Sequence, residues 1–267
     1  MIKNLIKKLL HMIAPKQYAS LMAARENRHG QYVMAKHGVP AIAKSIVGKY
    51  GSQVLSGPFK GMSYITESAG SSFVPKLLGT YECELDDTFN KIIASNYNTV
   101  ADVGSAEGFY AVGLAMRMSG SPSIYAFDIN PEARKLCQLL AAKNGVEKKV
   151  IVRSECDAVT LQKTLVGKSL VICDCEGYEV ELLQPKTAPA LLLADVLVEL
   201  HDCLKPGITP TILERFTATH DVLLIDSKDR SPADYPKISF LEPEQQKIAI
   251  SEFRHGPQQW AFMTPKR

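Results

Sequence analysis

The chain has 267 residues, of which 46% are hydrophobic, and 31 basic against 28 acidic side chains leave a formal net charge of +3. That length suits one large α/β domain with an N-terminal extension, and the apolar fraction is enough for a full core. A balance this close to neutral, with no run of Lys and Arg interleaved with aromatics, argues against a dedicated nucleic-acid binder.

In chain order, Met1–Ile13 comes first, with Ile2, Leu5, Ile6, Leu9, Leu10 and Ile13 on one helical face and Lys3, Lys7 and Lys8 away from it. Such an amphipathic helix packs on its own domain or on a second copy in a homo-oligomer; peripheral contact with an anionic membrane surface is the other reading. Tyr18–Lys49 reads as further helix, and Val54–Ile65 as a hairpin turned by Gly57-Pro58 and Gly61. Tyr81 and Glu82 stand just before the helix expected over Leu85–Ser95, placed to reach a ligand or to lead into that helix. This divides the chain into an extension over 1–84 and a main domain over 85–267.

From there, strand-like runs at Thr99–Val103, Ser123–Ile129, Lys149–Arg153, Ser169–Cys175, Ala194–Leu200, Val222–Asp226 and Gln259–Thr264 alternate with helical segments. That rhythm is the one a mostly parallel sheet with crossover helices on both faces requires, a three-layer αβα sandwich. Pro131 opens the helix over Glu132–Lys143, and Asn144-Gly145 ends it. Leu241–Arg254, with Pro243 in its first turn, is helical inside the long excursion before the last strand.

The first strand runs into Asp102-Val-Gly104-Ser-Ala106-Glu107-Gly108, and the second ends at Asp128-Ile129. Glycines in a strand-to-helix turn allow close backbone approach, and an acid about 20 residues on accepts ribose hydroxyls. The loop therefore marks a nucleoside site, with a plain structural turn as the alternative. It lacks the second glycine of the dinucleotide fingerprint and carries Asp102 and Glu107, which disfavour a pyrophosphate and favour a cationic or zwitterionic ligand. S-adenosylmethionine, with its ammonium and sulfonium groups, meets that description; NAD does not. The order D-x-G-x-x-x-G followed by an acid after the next strand resembles the class I methyltransferases, whose seven-stranded sheet has an antiparallel last strand. Asp157, after the third strand, stands where such enzymes place a polar group against the adenine amine, and is equally an N-cap for Ala158–Val166.

Two further strand ends carry acids: Asp174-Cys-Glu176-Gly177-Tyr-Glu179 after the fourth, and Glu199-Leu-His201-Asp202 after the fifth. With Leu182 and Leu183 and the Asp102–Gly108 loop, these resemble the FkbM-type methyltransferases over about Gly79 to Ile225. That resemblance implies O-methylation of sugars, polyketide hydroxyls or related small metabolites. Residues two apart on a strand share a face, so Asp174 with Glu176 and Glu199 with His201 gather at the carboxyl edge of the sheet. There His201 is the expected general base, Glu199 orients it or raises its pKa, Asp174 lies near the cofactor's methionine end and Glu176 near the acceptor. The plainer readings are that the two acids cap a helix starting near Gly177 and that His201 lies on the surface. Asp, Glu and His are also the ligand types of a divalent metal site, but no short ligand motif is present and no metal is expected.

Cys83, Cys137, Cys156, Cys173, Cys175 and Cys203 lack C-x-x-C spacing, which points away from a zinc clip or redox pair. With neither a signal peptide nor a membrane-length apolar run, the expected compartment is the cytoplasm. The sequence expectation is an S-adenosylmethionine-dependent O-methyltransferase acting on a sugar, glycan or other small acceptor. A non-catalytic nucleoside-binding module and an NAD-linked oxidoreductase are the alternatives.

Overall fold

The computed structural model describes residues 33, 35–65, 73–254, 256 and 258–266. The helix expected over Met1–Ile13, most of the first half of Tyr18–Lys49, and Gly70–Ser72 lie outside the described residues.

A seven-stranded sheet organises the chain. Its strands are β1 (Thr99–Val103), β2 (Ser123–Phe127), β3 (Val150–Arg153), β4 (Ser169–Cys173), β5 (Asp195–Glu199), β6 (His220–Asp226) and β7 (Gln259–Pro265). They lie in the order β3-β2-β1-β4-β5-β7-β6, and β7 alone runs antiparallel to its neighbours β5 and β6. All seven expected strands form, within about two residues at each end. Every residue of β1 and β4 is buried, as a parallel sheet covered on both faces demands.

The alternation along each strand separates two apolar layers. Val100, Ile124, Ile172 and Leu197 face α1 (Val39–Tyr50), α2 (Phe73–Leu78), α3 (Asp86–Ala94), α4 (Phe109–Arg117) and α5 (Pro131–Lys143). Ala101, Val103, Val171, Cys173, Val196 and Val198 face α6 (Ala158–Thr164), α7 (Glu179–Leu182) and α8 (Ile208–Phe216). A last helix, α9 (Pro243–Ala249), lies in the excursion before β7.

Local chemistry sets the helix ends. Asn130 caps α5 by accepting from the Glu132 N–H at 3.0 Å, Pro131 takes the first helical position, and Gly145 follows the end in the left-handed region. The Val54–Ile65 segment is a correction. It is a closed turn with a single antiparallel bridge, Gln53 to Ser63, because its apolar side chains Val54, Phe59, Met62 and Tyr64 sink into the core beneath α1 and α4 instead of alternating across a ribbon. The helix in the last excursion is also shorter than Leu241–Arg254, ending at Ala249. Beyond it Phe253 takes a left-handed backbone, and Glu252 and Arg254 turn inward to meet Glu82, Arg230 and Glu199.

Candidate functional site

The loop after β1 crosses the carboxyl end of the sheet at the point where strand order reverses between β1 and β4, the crevice where open α/β sheets take ligands. Gly104, at φ +86°, is required by contact within the protein: a Cβ there would stand 1.6 Å from the Asp174 carbonyl oxygen. Gly108 is similar, since its Cβ would meet Cys137 Sγ at 2.5 Å. The glycines thus hold the β1 loop against β4 and α5, where the sequence had pointed to close approach of a ligand.

Asp128 closes the loop from the β2 side. One carboxylate oxygen accepts from the Ala106 N–H at 2.8 Å and the other from the Asn130 N–H at 2.7 Å. Burial raises its pKa, and those two hydrogen bonds together with Arg134 oppose the rise. Beside it Ile129 is 59% exposed, an apolar side chain held open at the sheet edge. In the same loop Ala106 adopts φ +47°, and the buried Ser105 hydroxyl has no hydrogen-bond partner. An unsatisfied hydroxyl and a strained backbone beside a carboxylate and an open apolar surface are what a nucleoside with a polar tail would use.

Asp102 and Glu107 sit differently from the sequence expectation. Asp102 is buried and accepts from the Ala111 N–H at 3.1 Å inside α4; burial pushes its pKa up to about 7. Glu107 is fully buried, with Lys76 Nζ at 2.5 Å and the Tyr64 hydroxyl donating at 2.6 Å. Lys76 is itself 3% exposed and lies over the Tyr81 and Phe109 rings. The electrostatic argument from Glu107 therefore fails, because a lysine from α2 cancels its charge before any ligand meets it. Sequence reasoning missed Lys76; a lysine at the fourth position of the otherwise apolar run Phe73–Leu78 was the available signal.

Asp157 is exposed and caps α6, accepting from the Thr160 N–H at 2.7 Å, which lowers its pKa. Asp157→Ala is expected to cost about 1 kcal/mol of stability in urea unfolding, the usual worth of an N-cap.

The ends of β4 and β5 come together. Cys173 pairs with Val198 in register, which sets Asp174 beside Glu199, and the loops that follow bring in Glu176 and His201. The His201 side chain is 4% exposed, and its Nε2 stands 3.4 Å from Glu199, 3.5 Å from Asp174 and 3.7 Å from Glu176. Nδ1 lies 2.6 Å from Glu179, a fully buried carboxylate that also accepts from the Gly177 N–H. His201 is thus neither on the surface nor oriented through Nδ1 by Glu199: the orienting acid is Glu179, the last residue of the quoted motif. Neither Asp174 nor Glu176 caps α7, which begins beyond them at Glu179. Glu176 instead takes a left-handed backbone, φ +54°, directly before Gly177; strain of this kind collects at functional sites.

Burial pulls the His201 pKa down, but Glu179, Glu199 and Asp174 outweigh it and push it up to about 12. Asp174 is raised well above the usual carboxylate range by burial and by Glu199, with His201 and Arg254 opposing. Four carboxylates, those of Asp174, Glu176, Glu179 and Glu199, thus surround one imidazole. A second cation approaches from the excursion before β7: Arg254 donates to Glu199 at 2.8 Å and to Glu252 at 2.5 Å, and reaches Glu82. Glu82, buried and hydrogen bonded by Tyr110, is pushed up to about 8, mainly by burial. Arg254 was invisible to sequence reading because it arrives from the long excursion between β6 and β7, 55 residues beyond Glu199. Beyond it opens a cavity of about 600 Å³ lined by Lys228, Arg230, Lys247, Phe253 and Arg254, among others.

The strand order, with β7 inserted antiparallel between β5 and β6, defines the Rossmann-like fold of the class I methyltransferases. Solved structures similar to this chain include a candidate O-methyltransferase of Klebsiella pneumoniae, at 8% identity over 91% of this chain and 99% of that one, TM-score 0.47. Others are an rRNA methylase of Streptococcus thermophilus, at 11% over 69% and 97%, TM-score 0.45, and an O-methyltransferase of Bacillus cereus in complex with SAH, at 10% over 63% and 74%, TM-score 0.42. No family model matches the sequence, and no curated protein matches it. The fold assignment stands on the strand order itself.

Proposed function

We propose that the chain is an S-adenosylmethionine-dependent O-methyltransferase of FkbM type that methylates a hydroxyl of a sugar, glycan or other small metabolite. One observation carries the reading: the backbone contact between Gly104 and Asp174 joins a nucleoside-type loop to a buried acid–histidine cluster at the switch point of the sheet. When bound, the cofactor supplies an electrophilic methyl group and brings positive charge to an acid-rich edge.

The chain's own residues divide the remaining work. Asp128, already positioned by the Ala106 and Asn130 amides, receives the ribose hydroxyls; Ile129 packs on the adenine, and Asp157 lies near its amine. Asp174 faces the methionine end, and the Ser105 hydroxyl and the loop amides complete that cradle. The acceptor approaches over Glu176, with the cavity beside Arg254 as its entrance. Its hydroxyl meets the cluster centred on His201, where Glu199 and Glu179 fix the imidazole. Holding two reactants in line at such an edge supplies much of the acceleration, and managing the hydroxyl proton adds about 10²–10⁴-fold.

Calorimetric titration of the purified protein with S-adenosylhomocysteine is the direct test. Micromolar-range binding is expected, weakened at least about tenfold in Asp128→Ala, which corresponds to about 1.4 kcal/mol. Tighter binding of NADH, or no binding of S-adenosylhomocysteine to folded protein, overturns the reading.

A further inference from the structure

We infer that Asp174, Glu176 and His201 form a site for one divalent cation of the oxygen-preferring kind, manganese or magnesium. Each offers one ligand atom, and the three atoms lie within 4.8 Å of one another. The set is more than a group of acids, because its centre is an imidazole with 4% of its side chain exposed, locked from behind. Glu179 at 2.6 Å from Nδ1 keeps the proton on that nitrogen and turns Nε2 toward the carboxylates, the carboxylate–histidine arrangement that orients metal-bound imidazoles.

Two observations point to a ligand at this place. Asp174 Oδ1 is buried without a hydrogen-bond partner, although it stands among groups able to move toward it. The oxygens of Asp174, Glu176 and Glu199 are held 3.4–3.7 Å from Nε2, too far for strong hydrogen bonds. Cis ligands bonded at about 2.1 Å to one octahedral ion stand about 3 Å apart, so each carboxylate need close on Nε2 by less than about 1 Å to share an ion with it. Two carboxylates and one imidazole suit manganese or magnesium more than a thiolate-seeking metal. Cys175, the nearest sulfur in sequence, is instead turned to Cys173 at 3.3 Å.

Three protein donors leave about three of six positions open, toward the acceptor side marked by the exposed Glu176. The inference rests on the methyltransferase reading and deepens it. The ion would hold the acceptor oxygen and favour its deprotonated form, and an acceptor with two adjacent hydroxyls would chelate it. His201 then acts as ligand, and Glu199 remains the nearest further carboxylate.

The test is manganese binding to chelator-stripped, full-length protein, followed by electron paramagnetic resonance of free Mn²⁺, with magnesium as competitor. One ion per chain at micromolar-range affinity is expected, weakened at least about tenfold in Asp174→Asn, His201→Gln and Glu176→Gln, and unchanged in Glu132→Gln on the exposed face of α5. Glu176 is 75% exposed, so its variant keeps the test valid should the buried ones fail to fold. No uptake by folded protein, or uptake indifferent to Glu176→Gln, overturns the site. S-adenosylhomocysteine titration of the same samples separates the two ideas: cofactor binding without manganese removes the metal alone, and manganese binding without cofactor removes the methyltransferase reading alone.

Discussion

Gly104→Ala is expected to cost more than about 4 kcal/mol and to yield little folded protein, a loss at the extreme of single substitutions. Two costs coincide at this position. The backbone sits at φ +86°, where an L side chain is strained, and the new methyl would lie 1.6 Å from the Asp174 carbonyl oxygen. That oxygen belongs to a chain already fixed by the Asp174 N–H donating to the Val103 carbonyl at 2.9 Å, so relief means separating the β1 and β4 loops. Gly108→Ala provides the contrast. It shares the left-handed backbone, at φ +87°, but its closest contact is the Cys137 thiol at 2.5 Å, the end of a side chain, so adding Cys137→Ala should remove the clash and leave only the backbone strain. Urea unfolding of the three variants decides it: Gly104→Ala melting within about 1 kcal/mol of the parent would refute the account.

His201→Gln is expected to lower kcat about 10²–10⁴-fold while leaving S-adenosylhomocysteine affinity within a factor of about three. The imidazole meets acids from both strand ends and from α7, whereas Asp128 is held separately, by the Ala106 and Asn130 amides. Glu179→Gln tests the orienting role. It touches only Nδ1 among the imidazole atoms and should reduce kcat by about 10–100-fold, the range for groups that act by holding a ligand or base in place. Equal turnover in His201→Gln and parent would remove the cluster from the chemistry and leave the cofactor site standing.

The sheet was readable because burial on both faces forces continuous β-branched and aliphatic runs, and Pro131, Asn144-Gly145 and Asp157 punctuate the helices by local rules. The juxtaposition of Asp174, Glu176, Glu199 and His201 was also legible, since neighbouring parallel strands bring their carboxyl ends together. What escaped depends on long-range packing. Nothing near Lys76 announces that it ends against Glu107, 31 residues away, and nothing near Arg254 announces Glu199, 55 residues away. Glu179 differs from these: it lay inside the recognised motif but was given no role, because its direction depends on where α7 starts.

The Lys76–Glu107–Tyr64 contact bears on where the chain tolerates being cut. A fragment starting at residue 85 would keep the fully buried Glu107 beneath the first turn of α4 and lose the Lys76 ammonium and the Tyr64 hydroxyl that meet it. Stranding one member of a buried pair costs about 3–5 kcal/mol, a large share of what an ordinary domain has to spare. Fragment libraries and gene fusions that divide this protein at the start of α3 should return insoluble product, whereas the exposed Ser119-Gly120-Ser121 bend is a join better suited to insertion.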